Sequence, residues 1–165
     1  MTHDQLWAPW RSAYVTADKK TTPQGCFICR YLNESADATN FVVRRNPHSV
    51  VLLNLYPYNN GHLLIAPLAH KASLSELNDA ELLEIQQQLV LMTESLQAII
   101  KPEGFNIGVN LGHIAGAGLP GHVHWHVVPR WNGDTNFMGV CAETRVIVQS
   151  LTEFYRLLTE HLAKQ

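Results

Sequence analysis

The sequence of 165 residues contains no apolar run that approaches the roughly 18 residues needed to cross a membrane. No apolar stretch follows a basic segment near the N-terminus, as an export signal would require. The net charge is only −2, so the composition offers no basic surface for long nucleic acids. We therefore expect a cytoplasmic protein that binds neither membranes nor long nucleic acids.

Cysteine is scarce, which argues against a disulfide framework. Two of the three cysteines stand in Cys-Phe-Ile-Cys at 26–29. That spacing suits half of a metal site, a redox pair or a buried thiol pair. The third, Cys141, has no partner in the pattern, and we expect it to serve in packing.

Acidic side chains are missing from a long central stretch, since none occurs between Glu103 and Asp134. Within it, His122, His124 and His126 alternate with apolar residues. Such alternation is typical of a strand, so the three imidazoles are predicted to project from one face, with neighbours about 6.5–7 Å apart.

Three interpretations of this histidine face compete. Histidines that only fill a core or a surface rarely alternate with apolar residues in this way. A hydrolytic metal site would usually want a nearby carboxylate as its base, and the stretch has none. Attack on phosphorus by an uncharged histidine favours a pocket without carboxylates, because an anionic neighbour would repel the phosphate. We therefore favour nucleophilic catalysis.

The pattern along the chain predicts one α+β domain over 1–165, with an antiparallel meander sheet covered on one side by a long helix. An irregular arm (1–24) precedes the core (25–131), and a polar loop with a C-terminal helix follows (132–165). Strands are predicted from alternation and turn residues. They lie at 41–45, 49–55, 62–66, 105–111, 122–128 and, as a short strand, 145–148.

The long helix is predicted to begin after Asn78, with Glu81 completing a capping box, and to end before Pro102. Apolar residues at steps of three and four give it a core-facing stripe. This stripe consists of Leu82, Ile85, Leu89, Met92, Leu96 and Ile99. The last helix has a similar face, made of Leu151, Phe154, Tyr155, Leu158 and Leu162.

The segment His-Val-His-Trp-His-Val-Val at 122–128 resembles the signature of the histidine triad (HIT) family. Gly-His-Leu-Leu-Ile-Ala-Pro at 61–67, followed by His70, is similar to a second signature of that family. Asn54 stands eight residues before His62, as that pattern requires. Further runs resemble the bacterial diadenosine tetraphosphate phosphorylase branch, at 6–11, 26–29, 119–122 and 128–137. The resemblance covers nearly the whole chain and implies a HIT-like fold.

The resemblance implies a role for each histidine. His124, in the middle of the triad, would be the nucleophile, with its Nδ1–H held by a backbone carbonyl and its Nε2 attacking the α-phosphorus. His126 would donate to the phosphoryl or leaving oxygen, and Asn110 would add an amide donor. His62 would orient a triad histidine.

The same resemblance implies a nucleoside site. Asn54 matches the residue that holds the ribose hydroxyls, and Leu53 and Leu55 would be walls for the base.

The chain departs from the family just before the triad, where most members carry Gly-Gln-Ser/Thr-Val. Here the residues at 117–120 are Ala-Gly-Leu-Pro, which lack the hydroxyl and amide side chains. Backbone N–H groups at Gly116, Gly118 and Gly121 could instead cradle a phosphate, although a flexible turn is the alternative for such a loop.

Zinc is implied by the resemblance as a structural ion. In the zinc-bearing members of the family, the ligands match Cys26, Cys29, His70 and His122. A set of two thiolates and two imidazoles suits tetrahedral zinc. His122 would then be both a triad residue and a metal ligand.

Two residues after the triad have weaker signals. Trp131 could stack on a base or close over a polyphosphate, or it could pack against a partner subunit. Arg130 could contact a phosphate or form a surface salt bridge. HIT proteins are typically homodimers, so the resemblance implies a homodimer or a higher homo-oligomer.

The sequence thus predicts a nucleotidyl-transferring enzyme that cleaves a dinucleoside polyphosphate with inorganic phosphate as acceptor. Diadenosine tetraphosphate would give ATP and ADP through an adenylyl-histidine. One alternative is a hydrolase of the same fold, acting on a dinucleoside polyphosphate or a nucleoside phosphoramidate. Another is a non-catalytic module that binds adenine nucleotides.

Overall fold

A computed structural model describes residues 25–135 and 147–165. The predicted arm at 1–24 and Cys141 lie outside the described residues, as does half of the predicted strand at 145–148. The other half, Ile147 and Val148, is not in a strand, and Val148 is exposed.

Among residues 25–135 and 147–165, five antiparallel strands form a sheet in the spatial order β1-β2-β3-β5-β4. The first three form the predicted meander. The long helix then crosses over the sheet, so that β4 becomes an edge strand and β5 lies between β3 and β4. The strand bounds are β1 Val42–Arg45, β2 Ser49–Leu53, β3 Leu63–Pro67, β4 Gly104–Val109 and β5 Trp125–Arg130.

In the part of the chain that the structure describes, four α-helices accompany the sheet, and a 3₁₀ turn at Leu74–Glu76 precedes the longest of them. They are α1 Phe27–Asn33, α2 Asp37–Asn40, α3 Asp79–Ile100 and α4 Leu151–Leu162. Within the described ranges, no helix is both long enough and apolar enough to span a bilayer.

The long helix α3 begins as the sequence predicts. The Asn78 side chain accepts from the Glu81 backbone N–H, and the Glu81 carboxylate accepts from the Asn78 N–H. Most of the predicted stripe is buried, but Leu82 is exposed, which contradicts the prediction for that residue. Glu81 takes the buried position in this turn, because its carboxylate pairs with Lys71 Nζ at 2.6 Å.

The two faces of the sheet have different environments. One face packs on α3 and α4 through a large apolar cluster that includes Leu53, Trp125 and Val127. The other face carries a smaller cluster around Ile28 of α1 and Leu64 of β3. Since Leu64 is paired with His126 across β3 and β5, His126 lies on this second face, away from the long helix.

The histidine segment is less regular than predicted. The strand begins only at Trp125, so His122 and His124 precede it, which corrects the prediction of one strand over 122–128. The physical reason is the partner of Val123, whose N–H donates to the carbonyl of Lys71, beyond the end of β3, at 2.7 Å. Val123, Trp125 and Val127 still all face the helical core.

Gly61, the residue before His62, has a backbone conformation and a packing site that only glycine suits. Its φ is +74°, and a Cβ added there would lie 3.0 Å from Ile100 Cδ1 and 3.0 Å from Phe154 Cζ. Gly133 has the same φ of +74°, but a Cβ there would meet nothing within 4 Å. Comparing the same substitution at the two glycines therefore distinguishes the cost of backbone strain from the cost of overpacking.

We expect Gly133→Ala to lower the free energy of unfolding by about 1 kcal/mol, through the left-handed conformation alone. Gly61→Ala should cost about 2–4 kcal/mol, because overpacking adds to that strain. Urea unfolding at neutral pH measures both. Equal losses in the two variants would contradict the packing argument.

Candidate active site and metal cluster

His124 is held as an uncharged imidazole whose Nε2 lone pair is available. Its Nδ1 lies 2.8 Å from the backbone carbonyl oxygen of His122. Since a carbonyl can only accept, Nδ1 carries the proton and donates it. The ring is buried, with only 6% of its surface exposed, and burial lowers the pKa of His124. These are the properties of a nitrogen nucleophile.

His126 and His62 are joined at 3.0 Å, from His62 Nε2 to His126 Nδ1. The Tyr58 backbone N–H donates to His62 Nδ1 at 3.0 Å, and Asn54 Nδ2 lies 3.2 Å from the same nitrogen. His62 Nδ1 is therefore an acceptor, so its proton is on Nε2 and is donated to His126.

This chain of donors also sets the tautomer of His126. Because its Nδ1 accepts, a neutral His126 carries its proton on Nε2, which is buried and has no partner among the described residues. Burial, helped by the nearby His124, lowers the pKa of His126 to about 4. The ring centroids of His124 and His126 are 5.1 Å apart, so the Nε2 lone pair of one ring and the Nε2–H of the other belong to neighbouring side chains.

Tyr58 is a site residue that the sequence analysis missed. Its ring stacks on His126 at 5.8 Å between centroids and 18° between planes, and it lies 4.6 Å from the His62 ring. The signal available in the sequence was its position in the short turn between Asn54 and His62.

The four predicted metal ligands come together. One ligand atom from each of Cys26, Cys29, His70 and His122 lies within 4.8 Å of all the others. Cys26 Sγ is 3.1 Å from His122 Nδ1, and Cys29 Sγ is 3.3 Å from His70 Nδ1. Two thiols and two imidazoles form a donor set that suits tetrahedral zinc.

The protonation of His122 also fits a metal ligand. Its Nε2 donates to the carbonyl of Pro67 at 2.9 Å, which leaves the Nδ1 lone pair directed at the thiols. The pKa of Cys29 is raised by burial and by the neighbouring Cys26. A cation between the two thiols would offset this cost of ionising them.

Of the three residues predicted to bind the nucleoside, two lie at the site and one lies in the core. Asn54 lies at the site, where its Oδ1 accepts from the Tyr56 N–H at 2.9 Å and its Nδ2 faces His62. Leu55 is 40% exposed beside it. Leu53 is not brought to the site, because it is 3% exposed and belongs to the helix-side core. The residue that shares the face of His126 is Leu52.

The glycine loop is only partly available as an anion cradle. The Gly116 N–H donates to the carbonyl of His113 at 3.0 Å. Gly121 packs close to the metal cluster, since a Cβ there would lie 3.4 Å from His70 Nε2. Gly118 is exposed. Asn110, at the end of β4, is half-buried and lines a cleft beside His126.

The two residues that follow the triad are not brought to the histidines. Trp131 Nε1 donates to the carbonyls of Ile100 and Lys101, at the end of α3. Arg130 forms a salt bridge with Asp134, whose Oδ2 also accepts from Asn59 at 2.8 Å. Arg130 thus has the ion pair that was the alternative to a phosphate contact.

Comparisons with known proteins show the family to which the chain belongs. A profile of the HIT domain matches residues 35–133. The chain is 36% identical over 166 residues to AP-4-A phosphorylase of Mycobacterium tuberculosis, covering 98% of this chain and 85% of that protein. It is 29% identical over 107 residues to an adenosine 5′-monophosphoramidase of Schizosaccharomyces pombe, covering 65% of this chain and 75% of that protein.

The fold matches as well. A Zn-bound histidine triad family protein from Mycobacterium smegmatis superposes with a TM-score of 0.68 at 25% identity, covering 85% of this chain and 94% of the other. The fold, the triad geometry and the similarity over nearly the whole chain to a phosphorylase together establish that this protein is an enzyme of the HIT domain family.

Proposed function

We propose that the protein cleaves diadenosine tetraphosphate by phosphorolysis, giving ATP and ADP through an adenylyl-His124 intermediate. The observation that carries the proposal is the neutral His124, whose Nδ1–H is held by the carbonyl of His122 at 2.8 Å. The 36% identity to AP-4-A phosphorylase supports the choice of substrate.

In the first step, His124 Nε2 attacks the α-phosphorus of one adenylyl group. A P–N bond forms, and the P–O bond to the remaining triphosphate breaks, so that ATP leaves with the bridging oxygen. His124 keeps its Nδ1–H, and the positive charge of the phosphorylated ring is stabilised by the carbonyl of His122.

His126 assists this step as a hydrogen-bond donor. Its Nε2–H would stabilise the charge that develops on the leaving oxygen, and the relay from Tyr58 through His62 keeps the proton on that nitrogen. A phosphate leaving group departs as a stable anion, so no proton needs to be transferred.

In the second step, inorganic phosphate attacks the α-phosphorus. The new P–O bond gives ADP, the P–N bond breaks, and the imidazole returns to its neutral form. The buried setting of His124 reduces competition from water, which favours a bound phosphate as acceptor.

We also propose that Cys26, Cys29, His70 and His122 hold a structural zinc ion. The fit of the donor set supports this, as does the Nδ1 lone pair of His122, which is directed at the thiols. Zinc, when bound, would join the segment around α1 to His70, which follows β3, and to His122, which precedes β5. Because His122 also supplies the carbonyl that holds His124, its side-chain anchoring fixes the nucleophile indirectly.

Hydrolysis is the second candidate function. The similarity to an adenosine 5′-monophosphoramidase and the lack of side-chain donors at 117–120 favour it. Both functions share the adenylyl-His124 step and differ only in the acceptor.

Product analysis with diadenosine tetraphosphate tests the reaction, with and without inorganic phosphate. We expect ADP to appear together with ATP only when phosphate is present. His124→Ala should lose at least 1,000-fold in turnover, on the order of what removal of a nucleophile costs, while still binding the substrate. His113→Ala, an exposed histidine in the preceding loop, is the matched control. AMP with ATP in both tubes would establish the hydrolase instead, and no turnover with intact binding would support the binding module.

Metal analysis of protein purified without chelator tests the zinc site. We expect about one zinc per chain, the occupancy of a single four-ligand site. His70→Ala should lose most of this metal and His48→Ala none, because His48 is exposed and lies outside the cluster. A zinc content near zero in the unaltered protein would contradict the four-ligand site.

Acid should destabilise the fold through His126. Its folded pKa is about 4, below the ordinary 6.5, so the unfolded chain binds more protons between these values. The stability present above pH 6.5 is therefore lost as the pH falls toward 4, by about 3 kcal/mol from this group.

Urea unfolding between pH 7.5 and 4.5 measures this loss. His126→Gln should make the dependence on pH shallower, and His113→Gln should leave it unchanged. The same slope in both variants would show that His126 does not contribute.

A further inference from the structure

We propose that Asn59 is a positioning residue for the proton relay to His126, and that Asp134 holds Asn59 in place. The inference rests on the function proposed above, in which His126 stabilises the leaving oxygen through its Nε2–H. Asn59 lies in the loop between β2 and β3, three residues before His62. It acts on the relay through the backbone of this loop, which directs the donors to His62.

Both donors to His62 Nδ1 belong to the loop between β2 and β3. The Tyr58 backbone N–H reaches this nitrogen at 3.0 Å, and Asn54 Nδ2 lies 3.2 Å from it. The Asn54 amide is in turn oriented by the Tyr56 N–H, which donates to its Oδ1 at 2.9 Å. The direction of each donor therefore depends on the backbone of one loop. Because His62 is only 1% exposed, water does not easily replace a donor that moves away.

The Asn59 side chain anchors this loop to β5. Leu63 pairs with Val127 where β3 begins. Two residues further, the same register would place Gly61 opposite Pro129. The chain has left the ladder at that point, and Asn59 Nδ2 donates to the carbonyl of Pro129 at 3.1 Å instead. A side-chain amide thus satisfies an acceptor of β5 that the ladder no longer serves, and it ties the loop to the strand.

Asp134 accepts from the same amide. Asn59 Nδ2 donates to Asp134 Oδ2 at 2.8 Å, so both of its hydrogens have an acceptor. Asp134 is itself held by the Arg130 guanidinium and by the Trp131 backbone N–H. The hydrogen bond from Arg130 lowers the pKa of Asp134, so the carboxylate stays charged at neutral pH and is a strong acceptor. The polar loop after β5 therefore fixes the orientation of Asn59.

The neighbours of Asn59 tie the loop to a different element. Asn60 Nδ2 donates to Gln149 Oε1 at 2.9 Å, just before α4. A Cβ added at Gly61 would lie 3.0 Å from Phe154 Cζ of α4. These contacts hold the end of the loop against the C-terminal helix. The amide of Asn59 adds the tie to the strand in which the last triad histidine lies.

Loss of the Asn59 amide should disturb the relay one step at a time. The loop would no longer hold the Tyr58 N–H against His62 Nδ1, so the proton of His62 would no longer be confined to Nε2. His126 Nδ1 would then lose the donor that keeps its own proton on Nε2. The donor on His126 acts on charge that develops during the reaction, so its loss should lower kcat and leave KM almost unchanged.

Kinetics of diadenosine tetraphosphate phosphorolysis test this role. We expect Asn59→Ala to lower kcat by about 10–100-fold, the range usual for residues that orient a functional histidine, with KM within twofold. Asp134→Asn keeps the size of the side chain and offers Asn59 a neutral acceptor, so it should lower kcat by a smaller factor. Asn132→Ala is the matched control from the same polar loop, because Asn132 is exposed and contacts Glu103 through its backbone N–H. It should leave both constants within twofold.

The tautomers of His62 and His126 provide a measurement that needs no turnover. In protein labelled with heavy nitrogen at histidine, the NMR shifts distinguish a protonated ring nitrogen from an unprotonated one. We expect both rings of the unaltered protein to carry the proton on Nε2 at neutral pH. Asn59→Ala should add the Nδ1–H tautomer of His62, and Asn132→Ala should not. The variants His62→Gln and His126→Gln assign the signals, and circular dichroism checks the fold of each protein.

Three results would overturn the inference. A folded Asn59→Ala protein with both rings in their unaltered tautomers would mean that Asn59 does not act through the relay, whatever its kcat. A raised KM with unchanged kcat would assign Asn59 to substrate binding. If Asn59→Ala does not fold, Asp134→Asn decides, and tautomers and kcat equal to those of the control would also overturn it. Absence of turnover in the unaltered enzyme would contradict the proposed function alone, because the tautomers still show whether Asn59 sets the relay.

Discussion

The hydrogen bond from His124 Nδ1–H to the carbonyl of His122 is the interaction on which the chemistry of this site depends. At 2.8 Å it fixes which nitrogen of His124 carries the proton, and so which nitrogen can attack. The bond joins residues only two apart, in a segment that precedes the regular strand. A carbonyl committed to a strand partner would be less free to serve the ring. The irregularity before β5 is thus part of the site.

His122 is restrained from several directions. Its side chain donates to Pro67 and faces the two cysteines, and the neighbouring Val123 N–H is bonded to Lys71. Lys71 in turn forms a partly buried ion pair with Glu81, at the start of the long helix. Each contact ties the carbonyl of His122 to a different element. The candidate metal cluster and the proposed nucleophile are therefore neighbours: His122 belongs to the cluster, and its carbonyl accepts from His124.

Electrostatics favours uncharged histidines throughout the site. Burial lowers the pKa of His122, His124 and His126, and no acidic residue occurs in the chain between Glu103 and Asp134. The described carboxylate that follows, Asp134, is paired with Arg130 beyond the far end of β5. In the proposed reaction, a phosphate would therefore meet no anionic side chain from this stretch of the chain.

The sequence by itself determined where apolar residues recur along the helices and strands, and it determined the cap of α3 at Asn78. It also determined the alternation that puts Val123, Trp125 and Val127 in the core and leaves the histidines out of it. These features depend on residues that are neighbours in the chain. Through the resemblance to a family, the sequence also predicted the four residues that meet in the candidate metal cluster. Side-chain direction across strands was decided only by the fold: Leu53 faces the helices, and its neighbour Leu52 shares the face of His126. Trp131 caps α3, and Tyr58 covers two histidines, because chain segments distant in sequence meet there. The position of β5 between β3 and β4 places Gly108 opposite His126. No local sequence pattern encodes that pairing, because it depends on which strand edges remain free after the long helix has crossed the sheet.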